Sequence, residues 1–545
     1  MGKRTRRRFF GFLGAVGVGG LLLFGSRPVT ADAASNYTKK GTVFTLKAKS
    51  GQEISKILNK TIIAASKKAS ANKPYTVKLK KGTYKLKWAV YMYSNVKLDA
   101  TDVTLKCVSK SSAMLASRNT NSKKTGGYKA TKNISVIGGT WKGNAKNTAC
   151  MFRIAHSKNV LLSGCTFVGS GSVHQVEVAA LAGFTVSNCT FRDMKSGKGS
   201  SKKMEALQLD VCCNSHAYPG FYVDGTAMKN VTVEGCTFKN VPRGIGTHSM
   251  LFGQSLENVT IQGNTFTDLE EEAVIVCAYH NCKIMDNTIK NCGAGIVFQS
   301  MKQNPGSSVY STILNGKKTY NGSFVYDANS VISGNTMDIK YKTTADQVIG
   351  IKLLGYHFEN AVTGYDKKKI KAGNYYLSGM TVKDNVIKTE GLGIQITDVR
   401  DSSITDNTVQ AVGTKESQSI VMITNESKNI IFDRNTVKNS RSNGIIVQKD
   451  STAKSISGNT IIDSELSGIK LVGAVVTDSN DNVIKKEEKE YSCSDGLYVD
   501  GDSVVVNVTG NHISDMQGYS IIVKSGGTIK NYGENDVPED SDLIR

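Results

Sequence analysis

The residues best suited to chemistry fall within about one fifth of the chain. Glu177, Glu205 and Asp210 are carboxylates, His174 and His248 are imidazoles, and Arg153 and Arg243 are fixed cations, with Gln208 and Tyr222 among them. A pair of carboxylates can do general acid–base work, one protonating a leaving oxygen while the other activates water. If Glu177 and Asp210 lie one strand apart and two residues along, steps of about 4.8 Å and about 6.6 Å place their backbones roughly 8 Å apart. That is compatible with the ~6.5–9.5 Å separation of an inverting glycosidase pair. Neighbouring carboxylates also push one pKa up, as a general acid requires. Arginine can grip a carboxylate in bidentate fashion, so Arg153 or Arg243 could neutralise a uronate. His174 or His248 could then take the C5 proton in a β-elimination. The same residues could instead form a surface ion-pair array, with Glu205 between His174 and Arg243 and Asp210 beside His248.

Such residues meet only if the chain brings distant segments into register, and a repeat does this. The phrase reads LSGCTF at 162–167, VSNCTF at 186–191, VEGCTF at 233–238 and IQGNTF at 261–266. It continues through IMDNTI, ISGNTM, VKDNVI, ITDNTV, FDRNTV and ISGNTI to VTGNHI at 508–513. Most spacings are 22 to 29 residues; those of 47, 48 and 50 imply a coil with an insertion or two coils with one degenerate. That is too short for a helix in every unit, and the phrase is β-rich, so stacked parallel strands are expected. Asn at the key position tolerates a left-handed turn and can bond the neighbouring backbone, giving a ladder inside the corner. Cys165, Cys189 and Cys236 replace it as small buried groups. Phe167, Phe191, Phe238 and Phe266 fill the next inward column, and Trp141 joins them as core.

A second strand follows in most coils, as in GIVF at 295–298 and GIQI at 393–396. Aligning FRIAH, VEVAA, LQLDV, IGTHS and VIVCA by their inward positions makes Arg153, Glu177, Gln208, Gly246 and Ile275 one outward row. The next row reads Ala155, Ala179, Asp210, His248, Cys277, and a rim row reads His174, Glu205, Arg243, Glu272. Insertions at about 195–228, 299–329 and 340–378 are expected as functional walls or disordered loops. The first would supply Lys198, Lys202, Lys203, His216, Tyr218, Tyr222 and Asp224 beside the cluster. Ile54, Ile57, Leu58, Thr61, Ile62, Ala65 and Ala69 share one helical face, so a helix over 52–69 should cover the open N-terminal end of the stack.

Lys3, Arg4, Arg6, Arg7 and Arg8, the apolar stretch Phe9 to Gly25 and Ala31-Asp32-Ala33 read as a secretory signal over residues 1–33. The expected organisation is then a cap with first coils at 34–106, a solenoid at 107–530 and a tail at 531–545. The formal charge is +23, and +18 once residues 1–33 are set aside. A secreted protein this basic suits an acidic polysaccharide or an anionic cell surface. No nucleic-acid motif is present, no later stretch is long enough to insert stably in a membrane, and a monomer is expected. Eleven cysteines leave at least one thiol unpaired in a monomer. No cofactor is called for; the alternative is calcium through Asp268, Glu270, Glu271 and Glu272. His156, His280 and His357 read as structural or surface residues.

The [GD]-[NC]-[TV]-[FIVM] ladder, with TVKLKKGTYKLK at 76–87, resembles the pectate-lyase-like superfamily over roughly residues 40–530. The resemblance implies an all-β fold, a right-handed parallel β-helix with an N-terminal capping helix. It also implies a glycoside hydrolase or uronate lyase working on the outer face, or a non-catalytic adhesin or glycan-binding solenoid. The Asn-Thr-Asp, Asp-Asp, Gly-His-Gly and Arg-Ile-Lys series of polygalacturonases is absent. The resemblance therefore carries the fold, and no activity residue by residue.

Overall fold

The computed structural model describes residues 36–543 apart from 119–121, 172, 196–202, 214–217, 248, 302–311, 315–316, 320–323, 325–326, 344, 364–368, 414–417, 525 and 540. Residues 1–33, with the expected signal, therefore lie outside the described residues. Each coil turns through three strands. In one coil the long strand Val176–Ser187 bends at Ala180, where φ is +53°, so its two halves lie on different faces, and Thr190–Arg192 makes the third. We call these the first, second and third columns. The third runs as fifteen stacked strands from Gly82–Leu86 to His512–Ser514. Pairing between coils is parallel throughout the stack, as in Phe167 with Phe191, then Phe238, then Phe266.

Strand pairing decides what the long spacings mean. Thr190–Arg192 pairs directly with Thr237–Lys239, Thr288–Cys292 with Thr336–Ile339, and that strand with Val386–Thr389. The intervals of 47, 48 and 50 residues are thus single coils carrying insertions. Stacking continues beyond residue 530 through Thr528–Gly533 and Asp542–Leu543.

The inward columns form the core. The ladder runs from Asn264 through Asn287, Asn335, Asn385, Asn407, Asn435 and Asn459 to Asn511, and Asn482 and Asn535 also belong to it. Each amide donates to the Oδ1 of the next coil's Asn, and Asn264 also donates to the Val233 carbonyl at 3.0 Å. One expectation is corrected here. The left-handed residue is the one before the Asn, such as Gly263 (φ +60°) or Asp384 (φ +56°). That residue turns the chain and leaves the Asn side chain pointing inward. Cys165, Cys189 and Cys236 continue the column as buried free thiols. Beside them Phe167, Phe191, Phe238 and Phe266 stack at 4.7–4.9 Å, with Trp141 buried on the same column. Glycine in the GI phrases reflects crowding: a Cβ at Gly393 would lie 2.1 Å from Val409 Cγ1.

The helix spans Ser55–Ser66 and buries Leu58, Thr61, Ile62 and Ala65. It also satisfies the open edge of the first coil. Asn59 donates to the Ala89 carbonyl and accepts from the Tyr91 N–H, and Ser55 Oγ accepts from Lys87 and Trp88. Unpaired strand groups that would otherwise invite another strand are thereby occupied.

The excursions that follow the first column all leave from one corner. Segments 211–228, 247–255, 300–326 and 355–376 lie between first-column and second-column strands of successive coils. Described residues of these segments pack over the first-column face. Tyr218 and Phe221 pack on Ala155, Ala179 and Ala180, and Met250, Phe252, Met301, Tyr356 and Tyr375 pack on Cys277.

Candidate functional site

The first-column register places the site residues where period-two alternation puts them. Tyr91 pairs with Ala116, Ala116 with Arg153, Arg153 with Glu177, Glu177 with Gln208, Gln208 with Gly246, and Gly246 with Ile275. Ala179 pairs with Asp210, and Glu205 with Arg243. Seven of the expected residues, His174, Glu177, Glu205, Gln208, Asp210, Arg243 and Arg153, therefore gather on successive coils. His248 and His216 lie outside the described residues.

Their surroundings differ from an open face. Glu177 is 3% exposed, Glu205 1% and Asp210 0%, and His174, Gln208 and Arg243 are also buried. For Glu177 and Asp210 the reason is the segment 218–228, expected as a wall beside the cluster, which lies across them as a strap. Small side chains at Ala155 and Ala179 leave room for the Tyr218 and Phe221 rings to settle on the outward face. His156, expected as a lone structural residue, ties the strap down, with Nδ1 2.8 Å from the Gly127 carbonyl and Nε2 2.6 Å from the Tyr222 carbonyl. Asp224 accepts from the N–H groups of Gly127 and Thr226. The ring of Tyr222, expected among the substrate-binding residues, lies against Gly126. Tyr218 occupies the position over the acids.

Beneath the strap the charges are paired. Arg153 Nε donates to Glu177 Oε2 at 2.7 Å, and the Cys150 thiol meets the same oxygen at 3.0 Å. Asp210 accepts from the Ser249 N–H at 2.9 Å and from the Gln208 amide. Along the rim, His174 Nδ1 lies 3.6 Å from Glu205, Arg243 lies 3.7 Å from Glu205, and Arg243 Nε lies 2.6 Å from Glu272. Glycine at 246 makes this chain possible, because a Cβ there would lie 2.5 Å from Glu205 Cγ. Glu205 thus lies between His174 and Arg243, as in the closed array foreseen from sequence.

Two groups stand out electrostatically. Burial pushes the Tyr218 phenol well above its ordinary value, and the charges of Asp210 and Glu177 add to this. Its hydroxyl is buried with no hydrogen-bond partner among the described residues. Leaving a buried hydroxyl unmet costs about 1–3 kcal/mol. Glu271, at the rim, is pushed up to about 7 by burial and then by the charge of Glu272.

Residues of the acidic run considered above for calcium are engaged by neighbouring groups. Asp268 accepts the Asn291 amide, Glu271 accepts from the Asp346 N–H, and Glu272 is bound to Arg243. Among the described residues no group of three or more His, Cys, Asp or Glu could hold a metal ion.

An open groove of about 270 Å³ adjoins the roofed cluster. Its floor is the same outward row, Tyr91, Ala116 and Arg153; Arg118 borders it, as does Pro219–Phe221 of the strap. Tyr91 is exposed, and Arg118 stands 6.0 Å from its ring centroid. The row thus runs from open groove to the Arg153–Glu177 pair and then under the strap. Tyr91 and Arg118 escaped the sequence reading because Val90–Met92 and Leu115–Ser117 are three-residue strands outside the ladder phrase. The only signal was the alternation in AVYMYS at 89–94.

These features define a class: the chain is a right-handed parallel β-helix protein, the fold that the pectate-lyase-like resemblance implied. A family model described as the right-handed β-helix region matches residues 183–337 and 360–461. Among solved structures the chain is similar to the tailspike protein of E. coli bacteriophage HK620 in complex with pentasaccharide, at 12% identity and TM-score 0.50, covering 83% of this chain and 76% of that one. It is also similar to PfbA, a surface adhesin of Streptococcus pneumoniae, at 17% identity and TM-score 0.49, covering 78% and 89%. No curated protein sequence matches the chain. No helix among the described residues is long and apolar enough to cross a membrane.

Proposed function

We propose that this protein is secreted and cleaves a polysaccharide that enters by the Tyr91–Arg118 groove and reaches Glu177 and Asp210. One observation carries the reading: the floor of an open groove continues, on one row of side chains, into buried paired charges beside an unmet hydroxyl. Buried charges are expensive, and their concentration at one point beside a cleft is characteristic of reactive sites. In this scheme Arg153 exchanges its hold on Glu177 for a substrate oxygen, which frees the Glu177 carboxylate for acid–base work. Asp210 is the second carboxylate, and the Tyr218 hydroxyl gains its missing partner from a sugar oxygen. Glu205, His174 and Arg243 hold the rim in place, with Gln208 positioning Asp210 and His248 assisting. The strap must lift or shift for a chain to pass Arg153.

The test is a glycan panel read by reducing ends and by absorbance of unsaturated uronates. Reducing ends alone indicate hydrolysis, and both signals together indicate elimination. If wild type and Glu177→Gln/Asp210→Asn behave alike on every glycan, the site is misassigned. Passive capture by an adhesin-like solenoid is the second reading, favoured by the closed ion pairs under the strap. It predicts groove binding without either signal.

A further inference from the structure

The charge of this chain is not spread along the solenoid. Residues 36–160 hold 26 Lys and Arg against three acids, a net +23, whereas residues 161–545 hold 37 against 42, a net −5. All 24 lysines of the first segment are exposed. Among the described residues only one of them, Lys78, has a carboxylate within ion-pair distance, Asp99 at 3.8 Å.

The strand register sharpens this into a surface. On the outer face of the third column Lys85 pairs with Lys106, and Lys106 with Lys142, in three consecutive coils. Parallel strands stand about 4.8 Å apart, and like charges directly opposite one another destabilise a sheet. The same row continues as Val168, Arg192, Lys239, Thr267, Lys290, Asp338, Lys388, Gln410, Lys438, Ile462, Lys485, so beyond Lys142 no three consecutive coils carry cations. Lys87, Lys110 and Lys146 stand in the turns that lead from the third column to the first, and Ser111 and Ser112 of the middle turn line the groove. Trp88, 52% exposed, lies in the first of these turns, with Lys87 Nζ 5.5 Å from its ring. Cations therefore run from the third-column face, round the corner, to a groove bordered by Arg118 and floored by Arg153.

We propose that these first coils are a docking surface for an acidic polysaccharide, which lies along Lys85–Lys106–Lys142 and turns over the Lys87–Lys110–Lys146 corner into the groove. The polymer supplies the counter-charge that the row lacks. A saccharide fits better than a nucleic-acid duplex because the track ends in a groove of about 270 Å³ with a single exposed tyrosine, a space for a few sugar units and not for a double helix. The inference rests on the glycan reading above but not on cleavage.

The test measures binding of the full chain to polygalacturonate, heparin, neutral dextran and duplex DNA. Polygalacturonate or heparin should bind and weaken about tenfold between about 0.05 and about 0.5 M NaCl, with dextran not bound. Lys85→Gln/Lys106→Gln/Lys142→Gln should lose about fivefold or more at low salt, while Lys388→Gln/Lys438→Gln/Lys485→Gln, on the same face, should not. Equal losses in the two triples, equal binding of dextran, or preference for DNA over both acidic glycans would overturn the proposal. Loss of cleavage in Glu177→Gln/Asp210→Asn with docking intact bears only on the catalytic reading.

Discussion

The two ends of this solenoid are made from the same coil and differ inside and out. In the early coils the inner corner holds Cys165, Cys189 and Cys236 beside a stack of phenylalanines; from Asn264 onward it holds asparagines that bond from coil to coil. Outside, the early coils carry a lysine row and a roofed cluster of charges, whereas the later first-column row reads Gln395, Met422, Ile446, Lys470, Tyr498. The difference teaches that inner and outer columns are independent. Alternation sends them to opposite sides of the strand, so one face can be charged for a ligand while the other stays packed.

Several substitutions test that contrast. The largest loss is expected from Glu177→Ala, which leaves the Arg153 guanidinium without its partner at the edge of the strap and should cost about 3 kcal/mol in chemical denaturation. Asp406→Ala breaks an exposed pair with Arg434 in the later coils and should leave the midpoint unmoved. Equal effects would mean that the early cluster is not buried in solution.

The ladder offers the next step down. Asn407→Ala removes bonds to Asn435, Asn385 and two backbone carbonyls and should cost about 2–3 kcal/mol. Cys189→Ala removes one small apolar group and should cost about 1 kcal/mol. A reversed order would show that the thiol column, and not the amide ladder, holds the stack.

His156→Ala should release the strap while sparing the coils. Amide exchange should rise at 218–228 by about tenfold or more and stay unchanged in the ladder. A uniform rise would place His156 in the core and not at the latch.

The smallest effect is a pH dependence. Glu271 titrates near 7 in the folded chain and near 4.5 when its surroundings are lost. Between these values the folded state holds the extra proton, so stability from this group is full below about 4.5 and falls as pH rises to about 7. Glu271→Gln should reduce the total fall between pH 4.5 and about 7 by about 1 kcal/mol, allowing for solvent screening.

The fold and the register were legible from the amino acids because both depend on local rules. The [GD]-[NC]-[TV] phrase recurs, inward positions are apolar, and alternation then forces Arg153, Glu177 and Gln208 into one row. Asn482 escaped notice because it stands in SNDNVI, close to the phrase but without its opening apolar residue. Tyr218 was legible only as part of a wall beside the cluster; that its segment lies across the acids as a strap was not, since residues 211–228 follow no repeat.

What the sequence alone determined is the solenoid, its ladder and which side chains share an outward row, because stacking is a nearest-neighbour affair of identical units. Only the tertiary structure decided that the carboxylates are roofed by a strap and that a groove opens beside them on the same row. Those outcomes depend on segments far apart in the chain that carry no periodicity, and on which surface each finds to bury its aromatic rings.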